Sequence, residues 1–300
     1  KEEGEEEEKE KRRGRGEKEG GKGGKAKVFK VRILSWKAER LHLKTYLMRI
    51  VEIKQRLVCI MVYCQKPNSR TASMLGATAL AADIRRNNLQ YRICFVGSHT
   101  SAMPRQVLAY PFVDFVLLNE GVYALQNLLR TNLKSELEKL KGIGWKQAGR
   151  TILNEPEQVV PQERMDLDLP GYAWDLLPYE EKPLDLYRAH FWHAEFSHEK
   201  RTPFAAIYTS LGCRFACDFC MINIVNRVDN ADQINASHSK GMRFWSPSFI
   251  LKEFEKLAEL GVSTVRISDE MFFLDKRYFE PLVDGLVERD LGLRMWAYSR

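Results

Sequence analysis

The sequence predicts an α/β protein built from two successive strand–helix alternations. Apolar runs of strand length alternate with helical patterns between residues 28 and 130, and a second alternation runs from residue 205 to residue 298. Such alternation is typical of parallel sheets whose strands are joined by helices on the sheet faces. With 300 residues and 44% hydrophobic content, the chain is long and apolar enough for two domains with cores of their own.

The first alternation predicts an open parallel sheet of the Rossmann type. Residues 57–63 form a near-continuous apolar run, as expected for a strand that is covered on both faces. Residues 28–34 alternate apolar and basic side chains, which is also typical of a strand, and residues 38–56 repeat apolar side chains at helical spacing. In full, we predict strands at residues 28–34, 57–63, 92–97 and 113–118 and helices at residues 38–56 and 71–87.

The second alternation begins with a short apolar strand at residues 205–212. A polar stretch at residues 221–245 follows, and we expect it to be a long loop over the mouth of the second domain. Ser246 and Pro247 are typical of a helix start, and Gly261 is typical of its end. The remaining predicted elements are strands at residues 262–268 and 293–298 and a helix at residues 276–289.

Residues 1–25 contain only Lys, Glu, Gly and Arg, with nine acidic and nine basic side chains. A segment without large apolar side chains cannot bury surface, so we predict that residues 1–26 are disordered. All four residue types have codons made only of purines. We therefore expect this tract to be a polypurine stretch read through at the edge of an incomplete gene, with a real charged tail as the alternative.

Composition indicates which partners and which cellular compartment to expect. The net charge is +7, but the basic residues are scattered and form no stripe interleaved with aromatic residues, so nucleic acid is not an expected partner. No apolar run approaches the roughly 20 residues that span a bilayer, and no signal peptide is visible. We therefore expect a cytoplasmic protein without a membrane partner. Six cysteines in that compartment favour thiols and metal ligands over disulfides, and Cys59, Cys64 and Cys94 are expected to be buried structural thiols.

Three thiols lie within eight residues of one loop. Cys213, Cys217 and Cys220 are spaced CxxxCxxC, with the aromatic Phe219 directly before the last. They follow the predicted strand at residues 205–212, so they lie at its C-terminal end, where βα-barrels have their chemistry. Three thiolates can bind three irons of a [4Fe–4S] cluster and leave the fourth iron without a protein ligand.

At this loop the chain resembles the radical S-adenosylmethionine (radical SAM) enzymes, whose hallmark is CxxxCx(aromatic)C. The resemblance implies a [4Fe–4S] cluster on Cys213, Cys217 and Cys220, with the open iron binding the amino and carboxylate groups of S-adenosylmethionine. An electron from the cluster then cleaves the sulfonium and gives a 5′-deoxyadenosyl radical. The resemblance also implies a (β/α)6 barrel, a small-molecule substrate and a reductant such as flavodoxin or ferredoxin. The S-adenosylmethionine contacts that it implies are Phe219, Asp269 and Glu270.

The first alternation resembles the cobalamin-binding (B12-binding) domain that precedes the barrel in one class of radical SAM enzymes, which includes anaerobic cyclases and carbon or phosphorus methyltransferases. The match covers residues 28–130, and residues 97–104 are Gly-Ser-His-Thr-Ser-Ala-Met-Pro. The family's Gly-Glu-Gly-Glu loop is replaced by Asn-Glu-Gly-Val at residues 119–122, and no Asp-x-His-x-x-Gly cobalt-ligand motif is present. His99 is therefore expected to pack in its loop or contact the cobalamin tail. The cobalamin contacts that the resemblance implies are Gly97, Ser98, His99, Ser101, Glu120 and Gly121.

The predicted function is that of a radical SAM enzyme that starts methyl transfer, cyclisation or rearrangement on a small molecule. The resemblance implies six strand–helix units in the barrel, of which the sequence supplies three. We therefore expect an internal gene fragment whose first sheet also lacks its first strand. The predicted domains are a disordered tract at residues 1–26, a B12-binding-like domain at 27–135, a linker at 136–200 and a truncated radical SAM core at 201–300.

Alternatives stay open at three points. The cysteine loop is also compatible with a zinc-stabilised binding module, in which His190, His193 or His198 supplies the fourth ligand. Asp269 and Glu270 are also compatible with helix-capping or solvated carboxylates. The first domain is also compatible with a scaffold that no longer binds cobalamin, and the fragment with an inactive piece of the enzyme.

Overall fold

The computed structural model describes residues 29–34, 43–53, 55–63, 67–87, 91–177, 204–215, 217, 220–233 and 241–298. Residues Arg32–Arg300 form one compact unit, and Lys1–Val31 are assigned to a second one. The tract at residues 1–26 that was predicted to be disordered lies outside the described residues, as do His190, His193 and His198.

The described part of the chain alternates strands and helices in both halves. The strands are β1 (Leu57–Val62), β2 (Arg92–Gly97), β3 (Phe115–Leu117), β4 (Ile143–Gln147), β5 (Arg150–Leu153), β6 (Phe204–Ile207), β7 (Ser210–Leu211), β8 (Arg243–Phe244), β9 (Thr264–Ile267) and β10 (Arg294–Ala297). The helices are α1 (Leu43–Ile53), α2 (Pro67–Arg86), α3 (Ser98–Ala102), α4 (Pro104–Ala109), α5 (Val122–Arg130), α6 (Met165–Asp168), α7 (Pro247–Glu259) and α8 (Lys276–Arg289).

The first sheet has five strands in the order β1-β2-β3-β4-β5. The first three strands are parallel, and Cys59 of β1 lies opposite Cys94 of β2 in their register. Cys94 is buried as predicted, whereas Cys59 is half-buried. The parallel α/β sheet predicted from the apolar runs is confirmed.

Helices cover both faces of this sheet. Because side chains alternate along a strand, the two faces of β2 bury different residues. Ile93 and Phe95 pack with residues of α1, α2 and α4 on one face, and Cys94 and Val96 pack with residues of α5 on the other. Burial on both faces is what the near-continuous apolar runs in the sequence indicate.

The second sheet has three parallel strands in the order β10-β9-β6. Its core includes Phe254 and Leu257 of α7, Leu282 of α8 and Trp174 from the segment that precedes β6. A further pair, β7 and β8, is antiparallel and very short. The start of a barrel that the sequence predicts therefore consists of three parallel strands with two long helices between them.

Local signals explain where α7 begins. The Ser246 side chain accepts a hydrogen bond from the backbone N–H of Phe249 at 3.2 Å, and Pro247 occupies the first helical turn. A serine cap satisfies one of the free N–H groups of the helix end, and proline loses nothing there because it has no N–H to satisfy. The predicted helix start is confirmed at this position.

Three elements differ from the sequence-based expectation. Residues 29–34 form no regular secondary structure, so the strand predicted at residues 28–34 is wrong over this range. An alternating apolar pattern forms a strand only where a neighbouring strand pairs with it, and no described strand pairs with these residues. The β4–β5 hairpin falls in the predicted linker, where it extends the first sheet by two antiparallel strands. Residues 221–233, part of the predicted loop, contain a 3-10 turn at Ile222–Val225 that packs against the first sheet's α3.

No helix within the described residues is long and apolar enough to cross a membrane.

Candidate functional site

The cysteine loop follows β6 and β7 at the carboxyl end of the second sheet. Cys213 is buried, with 8% of its surface exposed, and Cys217 and Cys220 are half-buried. The backbone N–H of Cys220 donates to the carbonyl oxygen of Cys217 at 3.0 Å, so a tight turn joins these two residues. Phe219, which the resemblance assigns to S-adenosylmethionine, lies outside the described residues.

Asn223 fixes the first cysteine. Its Oδ1 accepts a hydrogen bond from the backbone N–H of Cys213 at 3.2 Å, and its Nδ2 donates to the Cys213 carbonyl oxygen, also at 3.2 Å. A side-chain amide that pairs with both backbone groups of one residue holds that residue as a neighbouring strand would. The loop is thereby tied to the 3-10 turn that follows it.

The electrostatics of Cys213 link the three thiols with Glu270. Burial raises the pKa of the Cys213 thiol, a hydrogen bond with the Phe215 backbone lowers it, and the charges of Glu270, Cys220 and Cys217 raise it further. Three thiols are a donor set that suits an iron–sulfur cluster. Within the described residues, however, no three His, Cys, Asp or Glu side chains are already arranged to hold a metal ion.

Asp269 and Glu270 follow β9 and have different environments. Asp269 is 1% exposed, and its carboxylate accepts hydrogen bonds from the Thr209 backbone N–H at 2.6 Å, from the Thr209 hydroxyl at 2.7 Å and from the Ser210 hydroxyl at 2.6 Å. Burial raises the pKa of Asp269, while these hydrogen bonds lower it. Asp269 therefore holds the chain between β6 and β7, whereas Glu270 is half-buried and acts electrostatically on Cys213.

The predicted cobalamin contacts lie at the carboxyl edge of the first sheet. Gly97 ends β2 with φ 127°, and a Cβ atom there would lie 2.2 Å from the Val62 carbonyl oxygen, so only glycine fits. Ser98 and Ser101 of α3 are buried, and His99 is half-buried. The hydroxyl of the fully buried Thr100 has no hydrogen-bond partner among the described residues.

The segment that follows Cys220 packs directly on this edge. Met221 and Ile224 are buried together with Ala102 of α3, and Met103 packs against the same cluster. The backbone N–H of Gln233 donates to the Ala102 carbonyl oxygen at 2.8 Å. Residues 221–233 therefore join the cysteine loop of the second sheet to the carboxyl edge of the first.

Arg227 and Asn119 form the polar centre of this contact. Arg227 is 6% exposed, and its Nη1 donates to the Ser101 carbonyl oxygen at 2.6 Å. The side chain of Asn119 accepts from the Arg227 backbone N–H and donates to the Arg227 carbonyl oxygen, both at 2.9 Å. Asn119 has a φ of 60°, a conformation that asparagine tolerates better than most residues. The Arg227 guanidinium also forms an ion pair with Asp229.

Glu120 makes a second contact between the two halves. Its carboxylate forms a half-buried ion pair with Arg243 of β8 and also accepts from the Val160 backbone N–H at 3.1 Å. Arg243 is held in turn by the Val160 carbonyl oxygen at 2.6 Å. Gly121, with φ 73°, allows the chain to turn into α5, since a Cβ atom there would lie 2.7 Å from a Val96 methyl group.

The structure thus brings the predicted cysteines and the predicted carboxyl-edge residues into one connected region. Sequence reasoning missed the side chains that connect them, namely Asn119, Arg227, Arg243 and Asn223. Their partners are separated from them by 108 residues for Asn119 with Arg227 and by 123 residues for Arg243 with Glu120. No local pattern in one sequence signals such pairs, although a left-handed asparagine after an apolar strand is a turn signal that could have singled out Asn119.

No protein-family model matches the chain. The chain is 26% identical over 233 residues to an uncharacterized methyltransferase of Pyrococcus horikoshii, and this match covers 77% of the chain and 44% of the relative.

Two groups of solved structures share the fold. The cobalamin-dependent S-adenosylmethionine radical enzyme OxsB, solved with aqua-cobalamin and S-adenosylmethionine bound, matches with a TM-score of 0.57 and 18% identity over 85% of this chain and 32% of OxsB. The radical S-adenosylmethionine methyltransferase TsrM from Kitasatospora setae, solved with tryptophan substrate and an S-adenosylmethionine analogue, matches with a TM-score of 0.59 and 19% identity over 90% of this chain and 49% of TsrM.

The chain spans less than half the length of each of these relatives. The similarity nevertheless covers 85% of this chain or more. The chain therefore has part of the fold of the cobalamin-dependent radical S-adenosylmethionine enzymes.

Proposed function

We propose that this chain is part of a cobalamin-dependent radical SAM enzyme that transfers a methyl group to a small molecule. The observation that carries the proposal is the path of the chain after the cysteine loop. Residues 221–233 leave Cys220 and pack on the carboxyl edge of the first sheet. Ligands of open α/β sheets bind at that edge, so one continuous segment connects the thiol loop with a ligand-binding edge.

The roles of the loop residues follow from their contacts. Cys213, Cys217 and Cys220 would hold the [4Fe–4S] cluster, and Asn223 would keep Cys213 in position through its two backbone hydrogen bonds. When bound, the cluster supplies the electron that cleaves S-adenosylmethionine reductively, and the electron comes from a reductant such as flavodoxin or ferredoxin. The burial of Cys213 limits the access of water to this loop.

Asp269 and Glu270 divide two tasks between them. Asp269 is engaged by Thr209 and Ser210, so its task is to hold the chain just before the cysteine loop. Glu270 is half-buried and lies within electrostatic reach of Cys213. A carboxylate in that position can accept a charge-assisted hydrogen bond from the ammonium group of S-adenosylmethionine. We therefore assign the S-adenosylmethionine contact to Glu270.

The carboxyl edge offers cobalamin only part of its length. Arg227 fills the part between Ser101 and Asn119, which leaves the part near Gly97, Ser98 and His99. The Thr100 hydroxyl in the same turn is buried and has no hydrogen-bond partner among the described residues, so one more hydrogen-bonding group is available there. These residues fit a polar ligand at the ends of β1 and β2 better than one at the end of β3.

Methyl transfer is favoured over cyclisation or rearrangement by the relatives. The sequence relative is named as a methyltransferase, and TsrM is described as one.

The decisive experiment is anaerobic reconstitution of the chain with iron and sulfide, followed by electron paramagnetic resonance with and without S-adenosylmethionine. We expect a reduced [4Fe–4S] signal that S-adenosylmethionine changes. Replacing Cys213, Cys217 or Cys220 by Ala is expected to abolish the signal, whereas Cys59→Ala serves as the matched control and should retain it. A chain that assembles no cluster, or that binds one zinc ion tightly instead, would contradict the proposal.

A second candidate for the first domain is a scaffold that binds no cobalamin. The filling of the edge by Arg227 favours this candidate. Titration of the chain with aqua-cobalamin, followed by absorbance and equilibrium dialysis, separates the two. Saturable binding that Ser98→Trp weakens supports a cobalamin site, and absence of binding supports the scaffold.

A further inference from the structure

A cavity of about 740 Å³ opens at the opposite, amino edge of the first sheet. Gln55 and Arg56 lie just before β1, Arg92 begins β2, and Asp114 lies just before β3. Small-molecule sites typically enclose roughly 300–1,000 Å³, so this volume is sufficient for a ligand of that class. The cavity is lined by Gln55, Arg56, Arg85, Tyr91, Arg92, Pro111, Asp114, Asn132, Leu133 and Lys134.

A second hollow of about 290 Å³ continues the first along the same edge. It shares Arg92, Asp114, Leu133 and Lys134 with the larger cavity and adds Lys146. The Lys146 ammonium donates to the Tyr110 carbonyl oxygen at 2.8 Å, and burial lowers its pKa. The two hollows together form a groove with basic groups along its length.

Among the described residues that line the larger cavity, cations outnumber acids by four to one. Asp114, the one acid of that set, forms ion pairs with Arg85 and with Arg92, the latter at 2.9 Å, and also accepts from the Ile93 backbone N–H at 2.8 Å. Arg56 donates to a neutral acceptor, Asn132 Oδ1, at 3.2 Å. The charges of Arg56 and Lys134 are therefore not balanced by a carboxylate of the described lining.

Uncharged side chains line the rest of the cavity, among them Tyr91, Pro111 and Asn132. Apolar and aromatic groups beside a few polar or charged ones are typical of small-molecule sites. The lining can therefore contact the uncharged part of a ligand as well as its charged part.

We propose that this cavity binds a small phosphate-bearing molecule of nucleotide size. The guanidinium groups offer paired N–H donors that match phosphate oxygens, and the ammonium group of Lys134 adds a point charge. The Tyr91 and Pro111 side chains would contact the uncharged part of the ligand. The site lies at the edge of the sheet opposite the cysteine segment, so it is separate from the proposed radical SAM site.

Isothermal titration calorimetry of the full chain tests this proposal with inorganic pyrophosphate, a nucleoside diphosphate, the matching nucleoside and a short DNA duplex. We expect the nucleoside diphosphate to bind most tightly, pyrophosphate to bind more weakly and the nucleoside to give no measurable heat. Lys134→Glu is expected to weaken binding of the nucleoside diphosphate by about tenfold or more. Arg56→Gln, which removes a charge without reversing it, should weaken it in the same direction.

The matched control is Lys252→Glu, the same charge reversal at an exposed position of α7. It is expected to change the affinity by less than about twofold because the charge is remote from the cavity and screened by salt. An equal loss in this control would overturn the proposal, because binding would then depend on net charge alone. Tighter binding of the DNA duplex, or no heat with any phosphate compound, would overturn it as well.

Discussion

The two edges of the first sheet use arginine in opposite ways. At the carboxyl edge, Arg227 is buried and Arg243 is half-buried, and their guanidinium groups donate to backbone carbonyl oxygens and to the carboxylates of Asp229 and Glu120. At the amino edge, Arg56 and Lys134 are exposed beside a cavity, and the one carboxylate of the described lining is already paired with two other arginines.

The difference indicates what each edge is for. A buried charge is stable only where its partners compensate for the lost hydration. The partners of Arg227 belong to the other half of the described structure, so the carboxyl edge fixes the two halves together. Cations without a carboxylate partner repel one another, and the anion binding proposed above would relieve that repulsion at the amino edge. The carboxyl edge therefore holds the two halves together, whereas the amino edge leaves its cations exposed.

The largest expected effect is that of Arg227→Ala at the carboxyl edge. The change removes the guanidinium group, whose Nη1 donates to the Ser101 carbonyl oxygen and whose Nη2 donates to the Ala231 carbonyl oxygen, both at 2.6 Å. It also leaves Asp229 without its ion-pair partner. Removing one partner of a buried charged network typically costs about 3 kcal/mol. Urea unfolding followed by circular dichroism should show a loss of that order.

Arg105→Ala is the control for that change. Arg105 also bridges the two halves, donating to the Asn230 carbonyl oxygen at 2.9 Å, but its side chain is 50% exposed. Exposed ion pairs contribute little, so we expect a loss below about 1 kcal/mol. Equal losses in the two variants would contradict the view that burial makes the Arg227 contact the stronger one.

Glu120→Gln tests the half-buried ion pair of Glu120 with Arg243 and should have the next largest effect. The glutamine can still accept a hydrogen bond, but Arg243 loses its one carboxylate partner among the described contacts. We expect a loss of about 2 kcal/mol in the free energy of unfolding. Glu255→Gln, in the half-exposed pair of Glu255 with Arg289, should cost about 0.5 kcal/mol or less. If the two substitutions cost the same, the ion pair of Glu120 is no stronger than a surface pair.

How much of the structure the sequence predicts depends on how far apart in the chain the interacting residues lie. The strands β1 and β2 were predictable because each is a mostly apolar run of strand length, and α7 because Ser246 and Pro247 are neighbours in sequence. The cysteine loop was expected directly after a strand, and Cys213 follows β7 closely in the chain. Such signals lie within a few residues of one another.

The β4–β5 hairpin shows why other parts were missed. Its two-residue turn is Ala148-Gly149, both with positive φ, of 49° and 77°. Asn-Gly is the strong signal for such a turn, and alanine hides it because that residue is uncommon in a left-handed conformation. The contact through Arg227 was missed for a different reason. Its partners Ser101 and Asn119 lie more than 100 residues earlier in the chain, and no local pattern records such a pair.

Thr100→Val has a smaller expected effect and the opposite sign. Thr100 is fully buried, and its hydroxyl has no partner among the described residues, so the isosteric valine removes a desolvated polar group. We expect the free energy of unfolding to rise by about 1 kcal/mol. In Thr209→Val, the same substitution removes a hydroxyl that donates to Asp269 at 2.7 Å, and stability should fall. A loss of stability in Thr100→Val would show that the hydroxyl is satisfied in solution.

The smallest expected effect belongs to Lys134→Ala at the amino edge. If the cations there serve a ligand and not the fold, removing one should leave the free energy of unfolding unchanged or raise it by up to about 0.5 kcal/mol. The rise would come from relief of repulsion with Arg56 and the other arginines of the cavity, and it should disappear at high salt because screening removes that repulsion. Urea unfolding at two salt concentrations measures both effects. A destabilisation comparable to that of Arg227→Ala would mean that Lys134 holds the fold together, and the contrast between the two edges would then no longer hold.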